Sequence, residues 1–394
     1  MQRRRINLQM TTDHTDRLLL EEDGLLSGRI TPESAMRLGA VLAEASARCM
    51  IGFSPDSAFA RAVAYTVCGA AAAAGGQTVL VPDCIPIELG AASIADDCDM
   101  ILHIDEARMR MFARGLLPLT GIQTEILTAG KKTGWLQRTE YGSTADGEGL
   151  RMLYPKEVLR RLPSALRGMP EISTAAPRLY ALCQRLFRGG RGELLTFQMS
   201  GDGRRVSLYT EKTGWVFYER LLLLLAGQYF AEGRDAALPY WMPRAAEELA
   251  ANYHRRVLRY ASASDGTDAE ARALALRQGI TLDAAVLCAE FLRMYAEHDG
   301  SLTEWLAQLP NSHTVRRIVK LSGAEDSTGV AKRCSAQGQW NTHWTAEGVI
   351  AEDARGQALL RPSRSGRSLT LWAEAQSMEL AAELAGDLTA LLEQ

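Results

Sequence analysis

The stretch "RPSRSGRSLTLWAEAQS", residues 361–377, gathers three arginines and several hydroxyl side chains into one short turn before a run of strand-forming residues. Guanidinium groups and hydroxyls donate hydrogen bonds to anions, so the turn predicts a site for phosphate or a phosphate ester. The alternative is a solvated basic turn that binds no ligand. The candidate phosphate-binding residues are Arg361, Ser363, Arg364, Ser365 and Arg367.

The net charge of the whole chain indicates that any anion site depends on a local cluster of basic residues. The 394 residues carry a formal net charge of −3, so the chain lacks the overall positive charge of a nucleic-acid-binding protein. Its 47% hydrophobic content predicts buried cores, and its length predicts about two to four domains.

The cysteines and the apolar runs indicate a cytoplasmic location away from membranes. Seven cysteines are dispersed without a CxxC pair, which predicts reduced thiols rather than a disulfide framework. The basic N-terminal segment has no apolar region of the kind found in secretory signals. The longest apolar run, "LLLLLAG" at 221–227, is too short to cross a bilayer.

The first 120 residues alternate between helical and strand patterns. "GRITPESAMRLGAVLAEASARC" predicts a helix capped by Thr31, and "SPDSAFARAVAYTVCGAAAAAGG" predicts a second helix entered through residues 54–56. The runs "MIGF", "TVLVPD" and "DMILHID" predict strands, and this alternation is typical of a parallel sheet covered by helices. Residues 121–150 are interpreted as a linker or a domain edge. From about residue 311, short strands precede a final amphipathic helix, which indicates a separate α+β domain.

Four stretches together resemble the α-D-phosphohexomutases, the family of phosphoglucomutase, phosphomannomutase and phosphoglucosamine mutase. "RPSRSGRSLTLWAEA" runs without a gap beside the family's RPSGTEPLIRIYAEA pattern. "SGDGRR" looks like the metal loop, "ITPESAMRLGAVLAEA" and its neighbours look like the first domain, and "DAAVLCAEFLRMYAEHDGSLTEWLAQLP" looks like the helix pair that closes the third. The resemblance covers most of residues 25–394 in the family's order.

This resemblance implies an α/β protein with three α/β/α domains of mixed or parallel sheets and a smaller α+β C-terminal domain around a central cleft. Family enzymes move a phosphoryl group between two positions of a hexose, using a phosphoserine and Mg²⁺. The implied domains are 25–135, a shortened second domain at 150–225, a shortened third domain at 226–310, and a phosphate-binding-like domain at 311–394.

Three loops, in addition to the metal loop, depart from the family's pattern. The segment "EARMRMFARGLLPLT" at 106–120 contains no serine where the phosphoserine loop is expected, and Thr120 is its nearest hydroxyl. His103, inside the preceding strand, is interpreted as a core histidine. "ALALRQGITL" lacks the glutamate and the Ser-Gly-His of the sugar-recognition loop, and Arg17 is the only candidate for the N-terminal Arg-Gly loop.

The metal loop retains one of its three carboxylates. Ser200, Asp202 and Arg204 stand at the positions that would hold Mg²⁺, and an arginine would repel a cation. The alternative is a glycine-rich hairpin turn in which Asp202 pairs with Arg204 or Arg205. No metal or other cofactor is therefore assigned with confidence to this chain.

We therefore expect a phosphohexomutase-like protein that binds a sugar phosphate or phosphate and lacks the phosphoserine and Mg²⁺ chemistry. One alternative is an active phosphohexomutase with atypical loops; another is a non-catalytic partner or sensor for a true mutase; a third is a transferase or phosphatase of different mechanism. No nucleic-acid or membrane partner is expected, whereas a homo-oligomer or a complex with an active mutase is compatible with the sequence.

Overall fold

The computed structural model describes residues 18–21, 24–55, 57–106, 108–129, 140–321, 326–336, 339–363 and 366–393. Within these ranges the strands form four sheets, of seven, four, two and five strands, which follow one another along the chain. The first three are mixed or parallel, and the last is antiparallel. The predicted α/β architecture with a C-terminal α+β section is confirmed.

The first section is a seven-stranded mixed sheet with the order β1-β2-β6-β5-β3-β4-β7. Its strands are β1 (Leu19–Leu20), β2 (Leu25–Ser27), β3 (Arg48–Phe53), β4 (Gln77–Val81), β5 (Met100–Ile104), β6 (Met109–Ala113) and β7 (Ser143–Asp146). Its helices are α1 (Pro32–Ala45), α2 (Ala58–Ala73), α3 (Pro86–Ala95) and α4 (Gly121–Ala129). The interpretation of residues 121–150 as a linker is wrong for the residues that the structure describes. They form α4 and the edge strand β7, which pairs with β4.

The two helices predicted near the N-terminus form, and their starts have identifiable caps. The hydroxyl of Thr31 accepts a hydrogen bond from the backbone N–H of Ser34, as the sequence predicts for α1. Helix α2 begins later than predicted, because Ser57 caps it by accepting from the backbone N–H of Ala60. The two helices pack closely: a Cβ added at Gly39 would lie 2.4 Å from the carbonyl oxygen of Val67.

Where the phosphoserine loop was expected, residues 109–113 form the strand β6. Strand β6 runs antiparallel to β5, with Met111 opposite Leu102, and its start pairs with β2. A short 3-10 turn at Arg114–Leu116 follows it. The backbone of residues 109–113 is therefore hydrogen-bonded within the sheet.

The second section holds a four-stranded sheet and the third a parallel two-stranded sheet. Strands β8 (Arg167–Ser173), β9 (Arg191–Met199), β10 (Val206–Thr210) and β11 (Gly214–Val216) form the first; β12 (Ala236–Pro239) and β13 (Val257–Tyr260) form the second. The helices are α5 (Leu153–Leu159), α6 (Pro177–Leu186), α7 (Tyr218–Ala231), α8 (Ala245–Asn252), α9 (Ala269–Gln278), α10 (Ala284–Glu297) and α11 (Leu302–Ala307). One large apolar core joins α3, α7 and α10. Gly279 follows the last residue of α9, and its φ of 73° allows the chain to turn there toward α10.

The C-terminal section is an antiparallel sheet with the order β14-β18-β17-β16-β15. Its strands are β14 (His313–Lys320), β15 (Asn341–Trp344), β16 (Val349–Asp353), β17 (Gly356–Pro362) and β18 (Ser368–Ala375), and its helices are α12 (Ser327–Ala336) and α13 (Met378–Glu393). The predicted apolar face of α13 is buried against the sheet through Leu384 and Leu388. Within the basic stretch 361–377, Arg361 and Pro362 end β17, and Ser368–Ala375 form β18. None of the helices described here is long and apolar enough to span a membrane.

Candidate functional site

A cavity of about 300 Å³ lies where the four sections of the chain meet. Its described lining contains one carboxylate, on Asp202, against several guanidinium groups. Concave sites of this kind focus the field of the charges that line them. The described lining of the cleft therefore carries more positive than negative side chains, in a protein of slightly negative net charge. The arginines that line it are Arg110 on β6, Arg204 and Arg205 after β9, Arg316 on β14 and Arg361 on β17.

The turn between β9 and β10 is closed by its own side chains. The hydroxyl of Ser200 donates to Oδ1 of Asp202 at 2.6 Å and accepts from the backbone N–H of Arg205 at 3.0 Å. Oδ1 of Asp202 also accepts from the backbone N–H of Arg204 at 3.3 Å. Gly203, at a φ of 72°, adopts the left-handed conformation that such a turn requires.

Asp202 pairs with an arginine that the sequence analysis did not consider. Nη1 of Arg110 donates to Oδ2 of Asp202 at 2.6 Å, whereas pairing with Arg204 or Arg205 was expected. Burial alone would raise the pKa of Asp202, but the Ser200 hydroxyl and the nearby Arg204 and Arg110 hold it below its usual value. Asp202 is thus a fixed anion with both oxygens in use.

The residues of this turn do not fit a magnesium ion. Ser200, Asp202 and Arg204 are brought together, but they offer a single carboxylate that already binds Arg110. Mg²⁺ requires a near-octahedral shell of oxygen ligands. In the part of the chain that the structure describes, no three His, Cys, Asp or Glu side chains are grouped to hold a metal ion.

Arg361 lines the cleft but is neutralised from within the chain. Its Nη1 donates to Oε1 of Glu347 and to the hydroxyl of Ser262, each at 2.7 Å, and its guanidinium lies 4.9 Å from the ring centre of Trp372. The side chain of Glu347 is only 1% exposed and that of Arg361 11%. Glu347 also accepts from the backbone N–H of Ser262 at 2.6 Å, so the contact joins the third and fourth sections.

Of the other residues predicted for the phosphate turn, Ser363 and Arg367 make backbone contacts within the C-terminal section. The hydroxyl of Ser363 accepts from the backbone N–H of Ser368 at 3.3 Å, which closes the β17–β18 connection. The backbone oxygen of Arg367 accepts from Leu321 N–H at 2.9 Å. Neither Ser363 nor Arg367 is among the described residues that line the cleft. Arg364 and Ser365 lie outside the described residues.

Three further arginines of the cleft rest on aromatic rings. The guanidinium of Arg204 lies 4.9 Å from the ring centre of Phe112, and its buried Nε has no hydrogen-bond acceptor among the described residues. Arg205 lies 5.3 Å from the ring centre of Trp241, and Arg316 lies 5.7 Å from that of Trp372. From the sequence, Arg204 was considered as a lost metal ligand or as a partner of Asp202, and Arg316 was not considered. Its place in the strand-forming run "HTVRRIVK" was the available signal.

The remaining candidates have structural roles where they are described. Nε2 of His103 lies 3.1 Å from the carbonyl oxygen of Cys84, and burial lowers the pKa of this imidazole, so His103 is a neutral core residue as predicted. Thr120 accepts from the backbone N–H of Gln123 at the start of α4. Arg17 lies outside the described residues.

The comparisons with known proteins find similarity in structure but not in sequence. No protein-family model and no curated protein matches the chain. Its structure is similar to that of a phosphoglucomutase/phosphomannomutase family protein from Burkholderia thailandensis, with 15% identity, a TM-score of 0.65, and coverage of 96% of this chain and 97% of that one.

Two further solved structures give the same result. A candidate phosphomannomutase of Thermus thermophilus is 14% identical, with a TM-score of 0.64 over 92% of this chain and 95% of that one. Parafusin, a phosphoglucomutase of Paramecium in its open form, is 9% identical, with a TM-score of 0.58 over 92% of each chain. The match spans almost the full length in every case, and the chain therefore has the fold of the α-D-phosphohexomutases.

Proposed function

We propose that this protein binds a sugar phosphate, or phosphate itself, in the central cleft without performing the phosphoserine and Mg²⁺ reaction of the mutases that share its fold. The observation that carries the proposal is the ion pair between Arg110 and Asp202. It joins the strand that replaces the expected phosphoserine loop to the turn that replaces the expected metal loop.

The charges of the cleft support binding more than phosphoryl transfer. Transfer depends on a positioned nucleophile and on cations that neutralise the charge spread over the phosphoryl oxygens. Strand β6 carries no serine, and its backbone is held by two neighbouring strands. The arginines that rest on aromatic rings remain to attract a phosphate group.

A binding role also suits a sensor of sugar phosphates or a partner of an active mutase. Such ligands occur in the cytoplasm, and the seven cysteines are all buried free thiols, in keeping with a reducing compartment. The predicted phosphate turn at 361–367 borders the same cleft through Arg361, and its contribution to binding stays a prediction.

The experiment combines a mutase assay with calorimetry. Glucose 1-phosphate and mannose 1-phosphate are incubated with the protein, a hexose bisphosphate and Mg²⁺, and the 6-phosphates are measured. We expect no more than trace conversion, together with saturable binding of glucose 6-phosphate. A turnover of 1-phosphate to 6-phosphate on the order of ten per second, which is typical of enzymes, would contradict the proposal that the protein is not a mutase. Absence of any saturable heat with phosphate or with hexose phosphates would contradict the binding role.

A further inference from the structure

We infer that Arg204 anchors the phosphate group of the ligand, and that Arg205 and Arg316 complete its binding from the two sides of the cleft. The ligand class is a phosphate monoester dianion on a small polyhydroxylated body. This inference rests on the proposed function and places its anion at a site that differs from the predicted turn at 361–367.

Arg204 is the strongest candidate because its charge is left without a hydrogen-bonded partner. Its guanidinium makes no hydrogen bond to a described residue, and its Nε atom is buried without an acceptor. A buried donor without an acceptor is costly, so native proteins rarely keep one without a reason. The ring of Phe112 fixes the guanidinium by a cation–π contact but cannot accept its N–H groups as an anion would.

The other two arginines of the lining are already neutralised. Arg110 is paired with Asp202, and Arg361 is paired with Glu347. The positive charge that remains for a ligand therefore belongs to Arg204, Arg205 and Arg316, which make no ion pair with a described residue and rest on aromatic rings. A dianion placed among them restores the balance of charge in the cleft.

The geometry favours one small ligand that bridges two sections of the chain. Arg204 and Arg205 lie in the turn after β9, whereas Arg316 lies on β14 of the C-terminal sheet. The cavity of about 300 Å³ is at the low end of ligand sites, which suits a hexose monophosphate better than a nucleotide sugar. Such a ligand would hold the C-terminal sheet against the second section.

The test uses calorimetry with inorganic phosphate, glucose 6-phosphate and uncharged glucose. The proteins are the wild type, Arg204→Gln, Arg316→Gln and the matched control Arg317→Gln. Arg317 follows Arg316 on β14 and therefore points to the opposite face, where it approaches Gly386 of α13. The control thus removes the same charge from the same strand without touching the cleft.

We expect Arg204→Gln to weaken the binding of phosphate and glucose 6-phosphate by about tenfold or more, because it removes charge-assisted hydrogen bonds. Arg316→Gln should weaken it by a few-fold, Arg317→Gln should leave it unchanged, and glucose should bind none of the proteins measurably. Thermal melting supplies a second readout. Without phosphate, Arg204→Gln should melt no lower than the wild type, and added phosphate should raise the melting temperature of the wild type more than that of the variant.

The outcomes separate the two proposals. If the wild type binds phosphate and Arg204→Gln binds it as tightly, the inference about Arg204 is wrong while the proposed function stands. If Arg317→Gln loses as much affinity as Arg316→Gln, binding follows net charge and the site is not in the cleft. If the wild type binds neither anion, the proposed function itself fails.

Discussion

Replacing Glu347 by glutamine removes the carboxylate that neutralises Arg361 while keeping nearly the same shape. In the native protein Glu347 accepts hydrogen bonds from Arg361 and from both the backbone N–H and the hydroxyl of Ser262. Glutamine keeps one carbonyl oxygen for these donors. The guanidinium of Arg361 then stays in a largely buried position after the negative charge of Glu347 has been removed.

The expected loss of stability follows from the burial of this pair. Removing one member of a buried ion pair costs about 3–5 kcal/mol, and the retained carbonyl oxygen places the glutamine variant near the lower end. At about 2.1 cal/mol/K of unfolding entropy per residue, 3 kcal/mol lowers the melting temperature of a chain of this length by roughly 4 °C if it unfolds as one unit. The decrease in melting temperature is larger if the C-terminal section unfolds first, because the unfolding entropy of fewer residues then divides the same loss of free energy.

The same change removes one negative charge from beside Arg361 in the lining of the cleft, and we expect an external anion to replace that charge. The assay is thermal melting of the wild type and of Glu347→Gln over a series of phosphate concentrations at constant ionic strength. We expect the variant to melt lower without phosphate and to gain more from phosphate than the wild type, because the ion supplies the missing negative charge. Chloride at equal ionic strength is the control for screening. An unchanged melting temperature, or equal gains for both proteins, would refute the reasoning.

Three further outcomes are expected. Burial raises the pKa of Asp283 to about 6, although hydrogen bonds from Tyr154 and from two backbone N–H groups act to lower it. The carboxyl group of Asp283 therefore binds its proton more tightly in the folded protein than in the unfolded chain. Stability should therefore fall by roughly 2 kcal/mol as the pH rises from 4 to 6, and urea unfolding of Asp283→Asn should lack that fall. Millimolar Mg²⁺ should leave the melting temperature unchanged, and a saturable rise abolished by Asp202→Ala would show a working metal site. Gly39→Ala should destabilise the protein by about 1–3 kcal/mol in chemical denaturation because its new methyl group meets Val67 on α2, and a neutral result would mean that the two helices separate at little cost.

Elements specified by neighbouring residues were predictable from the sequence. The cap at Thr31 needs only the few residues that follow it, and the strands and final helix of the C-terminal section carry their own apolar periodicity. The sequence patterns missed β8 and β12, because both contain a proline and β8 also contains Gly168. Pairing with other strands decides their conformation, and that pairing is not visible locally.

The candidate site was only partly predictable for the same reason. The arginine-rich turn is local and was recognised, whereas the two ion pairs that control the cleft join residues distant along the chain. Arg110 and Asp202 are separated by 92 positions and meet only once the first and second sections are packed. Glu347 reaches Arg361 because β16 and β17 form a hairpin in which Val349 lies opposite Leu360. The spacing of residues in the sequence does not predict this register.

The pairing of β6 also bears on whether a nucleophile placed on this strand could reach a substrate in the cleft. A serine introduced at Arg110 would supply a hydroxyl and release Asp202, yet the main chain would stay hydrogen-bonded between β5 and β2. Five consecutive residues would have to leave the sheet before that hydroxyl could approach a substrate. Single substitutions cannot accomplish this without first exposing the strands on either side. A reactive loop at this place would therefore require the sheet to give up the hydrogen bonds of β6, and the sheet would be less stable as a result.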